Sequence, residues 1–186
     1  MKIRQPKMAL CALAMVGATL NMTSCMDNNK NPFYSEYDTP HQTVPFDKIK
    51  MEHYEPAIME GIKQHAAEVE AIINNPEEPT FENTIVALEY AGELLDRVLT
   101  VFFTLNSAET SDEMQELAQK LSPVLTEHSN NISLDERLFA RVKAVYEATD
   151  MSTLTTEQQR LLQKSYDSFA RSGANLNEED KAKYRE

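Results

Sequence analysis

From Tyr54 onward the apolar residues recur at intervals of three and four, the spacing that lines one face of an α-helix. Tyr54, Ile58, Ile62, His65, Val69, Ile72 and Ile73 share the face of a first predicted helix, which Asn74-Asn75-Pro76 stops. Thr80 opens a second, expected to run unbroken to about Ser107. Its face of Phe81, Ile85, Leu88, Gly92, Leu95, Leu99 and Phe102 is joined by a second stripe of Val86, Tyr90, Leu94 and Val101. Most of its circumference is therefore apolar, and it is expected to be the central, most buried helix.

A third helix starts near Ser111-Asp112 and carries Met114, Leu117, Leu121, Val124 and Leu125. Pro123 lies inside it, removes a backbone donor and crowds the preceding turn, so a kink or a break is expected there. Ser133 to Glu136 has the spacing of a capping box ahead of the stripe Leu134, Leu138, Val142 and Tyr146. Thr155 to Gln158 repeats the device before Leu161, Leu162, Tyr166 and Phe169. Gly173 suits a left-handed helix end. Asn177 to Asp180 opens a further helix that has only begun at Glu186, so the stretch is expected to belong to a longer chain.

The first fifty residues lack this periodicity. Lys2, Arg4 and Lys7 precede an apolar run, Met8 to Leu20, that is too short to span a bilayer as a stable helix, which is the pattern of an export signal over residues 1–24. The run Met22-Thr23-Ser24-Cys25 resembles a bacterial lipoprotein cleavage box with Met22 in place of the usual Leu. A lipidated Cys25 is the expected product, and an ordinary secretory signal that leaves Cys25 as a free thiol is the alternative. Each acyl chain contributes about 0.8 kcal/mol per buried methylene, and more than one makes the anchor durable. Residues 25–50 are polar and carry Pro32, Pro40 and Pro45, and are expected to form a tether and an extended leading segment with no helix before it ends. Residues 51–186 then form the helical region, exported and held at a membrane, facing the periplasm or the cell surface.

Composition agrees with an all-α fold. The 186 residues hold only 4 Gly and 8 Pro, too few for the many tight turns of a β-sandwich or barrel. Removing the signal takes Cys11 with it, so Cys25 would be the single cysteine of the mature chain. It also removes three of 18 basic residues and none of 30 acidic ones, which leaves 15 against 30 and a formal charge of −15. Such acidity excludes nucleic acid as a partner on electrostatic grounds.

The chemistry on offer is sparse. A zinc peptidase helix needs His-Glu-x-x-His, two imidazoles one turn apart with a Glu to activate water, and none of His41, His53, His65 or His128 is followed by Glu. The nearest approximation is His65 with Glu68, two ligands on one helical face. Its plainer reading, favoured here, is an imidazole at the edge of the apolar stripe with Glu68 turned to solvent. The pairs Glu77-Glu78 and Glu178-Glu179 sit where helices begin and complement the helix dipole. Phe33, Tyr34 and Tyr37 either meet a partner or, as the favoured reading, pack on the helices. No nucleophile elbow or phosphate-binding glycine loop is present. No catalytic or metal-ligating residue is therefore assigned in this chain.

Several blocks together resemble a known family. Val44-Pro45-Phe46-Asp47-Lys48-Ile49-Lys50, Tyr54-Glu55-Pro56-Ala57 and Asn75-Pro76-Glu77-Glu78-Pro79-Thr80-Phe81-Glu82-Asn83-Thr84 are similar to the amino-terminal part of the thimet oligopeptidase-like zinc metallopeptidases. Leu94-Leu95-Asp96-Arg97-Val98, Phe139-Ala140-Arg141-Val142 and Arg171-Ser172-Gly173-Ala174-Asn175-Leu176 resemble the bacterial dipeptidyl carboxypeptidases more than oligopeptidase A. The likeness covers about residues 41–186, with Met51 standing where relatives often carry Pro. It implies a mostly helical, channelled peptidase whose zinc ligands and general base lie far down the chain, so none is carried onto these positions. Zinc is implied for that missing part and none for this chain. The resemblance further implies short peptides as substrates, the remainder of the peptidase as a partner, and a channel-wall role in which this stretch restricts substrate size. A non-catalytic, peptide-binding helical lipoprotein is the alternative.

Overall fold

The computed structural model describes residues 31–174 together with Leu176, Glu179 and Asp180. The signal segment, Cys25 with its expected lipid, and Glu178 lie outside the described residues. Those described form an all-helical fold without strands. Helix α1 spans Met51–Ile73 and α2 Ala87–Tyr90, the latter preceded by a wide π-turn over Phe81–Val86. Then come α3 (Glu93–Ala108), α4 (Asp112–Ser133), α5 (Glu136–Ala148) and α6 (Thr156–Arg171). None of these helices is long and apolar enough to cross a membrane.

Helix α1 is the spine. Its first half places Tyr54, Ala57 and Ile58 in a core with Phe33, Leu95, Val98, Phe102, Met114 and Leu121. Its second half places Val69 and Ile72 in a separate core with Phe81, Ile85, Leu138, Val142, Leu162 and Phe169. The close approach of α1 to α3 depends on Gly61, where an added Cβ would stand 2.9 Å from the Leu95 Cα. The backbones touch there, and a methyl group would force the helices apart.

The expected second helix is broken. Thr80 does cap its start, accepting the Asn83 amide at 3.0 Å while the Asn83 side chain accepts the Thr80 amide at 2.8 Å. The helix then stops at Tyr90, and Gly92 adopts a left-handed φ of 83° before α3 begins. Periodicity carries no mark of this turn, because Gly92 occupies an apolar-face position at the expected phase. The consequence is that the chain leaves one core and enters the other. Tyr90, assigned to a buried stripe, is 76% exposed.

The remaining boundaries follow local chemistry. Ser111 caps α4 by accepting the Met114 amide. Pro123 does not break α4, which runs through it as one element. Its missing donor orphans a carbonyl four residues back, at Gln119, and both residues are exposed, so water can meet that oxygen. The cap of α5 is Asp135 and not Ser133, since the Asp135 carboxylate accepts the amides of Arg137 and Leu138 at 2.8 and 3.2 Å. A carboxylate suits the positive helix end better than a hydroxyl. Thr155 and Gln158 form the expected reciprocal cap of α6. Gly173 takes φ 86° just beyond it, and Glu179 and Asp180 are again helical.

The described part of the leading segment, from Asn31 on, has no α-helix before Met51 and makes short 3-10 turns at Pro32–Tyr34 and Pro40–Gln42. Its described part packs onto the bundle. Phe33 is fully buried, 5.4 Å from the Tyr54 ring, and Tyr34 and Tyr37 rest against the same core.

Candidate functional site

Three chemistry-bearing side chains of the described bundle, His65, Glu68 and His128, meet at the seam between the two cores. Helix α1 brings His65 and Glu68 there, one turn apart. Helix α4 brings His128, 63 residues away in sequence, and its Nε2 lies 3.1 Å from His65 Nδ1. The rings are nearly edge to face, 5.0 Å between centroids. One nitrogen must donate and the other accept, so the pair holds together only while at least one imidazole is neutral. Burial is the main force that lowers the His65 pKa below its ordinary 6.5, reinforced by His128 and opposed by Glu68. Burial lowers His128 as well.

Glu68 is not simply turned to solvent. Its Oε2 accepts the Gly92 amide at 2.7 Å, fixing the turn that separates α2 from α3. Gly92 is required for a second reason, because a Cβ there would stand 2.9 Å from the His65 ring. The break in the apolar helix, the imidazole pair and the carboxylate thus form one local arrangement. Beside it a groove of about 440 Å³ runs between Leu88, Leu95, Leu125, Ile132 and Phe169.

This arrangement does not constitute a peptidase centre. A catalytic zinc takes three protein ligands and an open position. Among the described residues no group of three His, Cys, Asp or Glu is placed to hold a metal ion. The other expected acids and histidines are also scattered. His53 Nδ1 accepts the Lys50 amide at the start of α1, and His41 sits exposed on a turn with φ 60°. Glu77 and Glu78 are exposed in the loop before Thr80, where the backbone is latched by Arg141, whose Nη1 donates to the Asn75 carbonyl at 2.9 Å. The His65 to His128 contact had no local sequence signal, since it joins two helices through space.

Residues 56–181 match the family described as the N-terminal domain of neurolysin/thimet oligopeptidase. Dipeptidyl carboxypeptidases of Salmonella typhimurium and Escherichia coli are each 44% identical over 153 residues, covering 82% of this chain. Oligopeptidase A of Salmonella typhimurium is 28% identical over 156 residues, covering 84% of this chain. The chain spans 22% of the length of each of these relatives.

Proposed function

We propose, from the premise that this chain belongs to the neurolysin/thimet oligopeptidase family through its N-terminal domain, that it is the wall-forming part of an exported peptidyl-dipeptidase. That enzyme would release dipeptides from the carboxyl ends of short peptides. The observation that carries the reading is the contrast in identity, 44% to dipeptidyl carboxypeptidases against 28% to oligopeptidase A over nearly the same residues. Zinc is implied for the intact enzyme by the family. The described residues do not fit a catalytic zinc, so no chemical step is assigned to them.

Their contribution is mechanical. Two cores, both reached by the long helices α1 and α4, make up a helical layer. In a channelled peptidase, such a layer limits access to extended, unfolded peptides and excludes folded ones. The lipid on Cys25 would keep the enzyme at the membrane surface, where exported peptides arrive. Its partners in this reading are short peptides, the remainder of the peptidase chain and the lipid bilayer.

The reading frame after the codon for Glu186 supplies the test. An open frame reaching His-Glu-x-x-His, with peptide hydrolysis by the complete gene product abolished by a zinc chelator, is the expected result. An immediate stop codon would overturn it in favour of a non-catalytic, peptide-binding lipoprotein.

A further inference from the structure

His65 and His128 stand to each other as two ligands of one metal ion do. Two ring nitrogens bound to the same zinc at about 2.0–2.1 Å are about 2.9–3.4 Å apart for bond angles from square to tetrahedral. His65 Nδ1 and His128 Nε2 are 3.1 Å apart, inside that window. Rings that meet one ion at those angles have centres about 4.5–5.2 Å apart, and these centres are 5.0 Å apart. The free pair keeps the same spacing by sharing a hydrogen, so an ion replaces that hydrogen without moving either helix.

Both rings are half-buried, and both line the groove of about 440 Å³ beside the pair, which gives an ion and its water a way in. His65 also lines a second hollow of about 510 Å³ bounded by the Gly92 turn. Its ring packs against Gly92, which Glu68 latches at 2.7 Å, so the ligand is oriented before any ion arrives. Burial holds both imidazoles below the ordinary 6.5, so at neutral pH their lone pairs are free to bind a metal.

The surrounding charge favours a cation. Glu68 acts on His65 from one turn along α1, and Glu89, Glu93 and Asp96 line the second hollow. Among the described residues no Lys or Arg lines either one. Imidazole nitrogens suit zinc, nickel and copper, whereas magnesium and calcium demand oxygen.

We propose that His65 and His128 form a two-imidazole site for a borderline divalent transition metal ion, held between Nδ1 of one ring and Nε2 of the other, that clamps α1 to α4 across the seam. Water fills the remaining positions of the ion, and Ser129, Ser133 and Ser168 supply hydroxyls to the groove it occupies. Whichever ring donates in the free pair moves its hydrogen to its other nitrogen, so two neutral rings release no net proton, and each charged ring releases one. The role is structural, since a catalytic zinc takes three protein ligands.

Isothermal titration of the full 186-residue chain with zinc chloride at pH 7.5, its two cysteines alkylated, tests this. Saturable binding is expected, with a melting temperature that rises with zinc concentration. His65→Gln and His128→Gln are each expected to weaken binding at least about tenfold, and His41→Asn, on an exposed turn, to leave it unchanged. Should either glutamine variant fail to fold, nitrogen NMR of the imidazoles in the natural chain decides. Zinc is expected to shift His65 Nδ1 and His128 Nε2 more than any other ring nitrogen. No binding up to about 1 mM zinc, affinity unmoved by both glutamine variants, or shifts confined to other nitrogens would overturn the proposal.

Discussion

His65 Nδ1 and His128 Nε2 stand 3.1 Å apart and tie α1 to α4 across the seam between the two cores. This hydrogen bond has one proton to share, and protonating both rings replaces attraction with repulsion.

The pair makes stability depend on pH with a definite sign. Both folded pKa values lie below the ordinary 6.5 of an exposed histidine. Above that value both states are neutral and the pair is intact. As pH falls through 6.5 the unfolded chain takes up protons before the folded one does, so stability is lost on acidification. The melting temperature is expected to fall more steeply between about pH 7.5 and about pH 5 in the natural chain than in a His65→Gln, His128→Gln double variant. Parallel slopes would show that the pair contributes nothing.

Gly92→Ala is expected to destabilise the fold by about 1–3 kcal/mol in urea unfolding. Two costs combine there: the φ of 83° and a Cβ 2.9 Å from the His65 ring. Gly173→Ala shares the left-handed backbone at φ 86°, but its nearest obstacle is the flexible end of Leu176 at 2.8 Å. It should cost less, and equal losses would mean that the seam around His65 is looser than described.

Much of this fold was legible in the sequence, and the exceptions have a common cause. The start of α1, its stop at Asn74, and the caps at Thr80, Ser111 and Thr155 each rest on residues within a few positions of one another. What periodicity missed is long-range. Gly92 reads as one more apolar-face position, and only the Glu68 carboxylate, 24 residues earlier, reveals that the helix must turn there. Pro123 reads as the site of a kink or a break, and the break does not occur, since packing of Met114 and Leu121 on one core outweighs a single lost hydrogen bond in an exposed turn. The imidazole pair and the Arg97 to Tyr37 stack join residues 63 and 60 positions apart. No spacing rule reaches that far.

Cys25→Ser is expected to move the protein from the membrane fraction to the soluble fraction of cells that express it, since the lipid would be its anchor. Metabolic labelling with a fatty acid should vanish in the same variant. Unchanged fractionation and labelling would contradict lipidation at this residue.

The central claim concerns what the intact enzyme removes from a peptide. Incubating the complete gene product with an amino-blocked pentapeptide and identifying the fragments by mass tests it most directly. A free carboxyl-terminal dipeptide together with the blocked tripeptide is the predicted result, with turnover lost on adding a zinc chelator. Release of single amino acids, cleavage elsewhere in the peptide, or chelator-resistant turnover would contradict it.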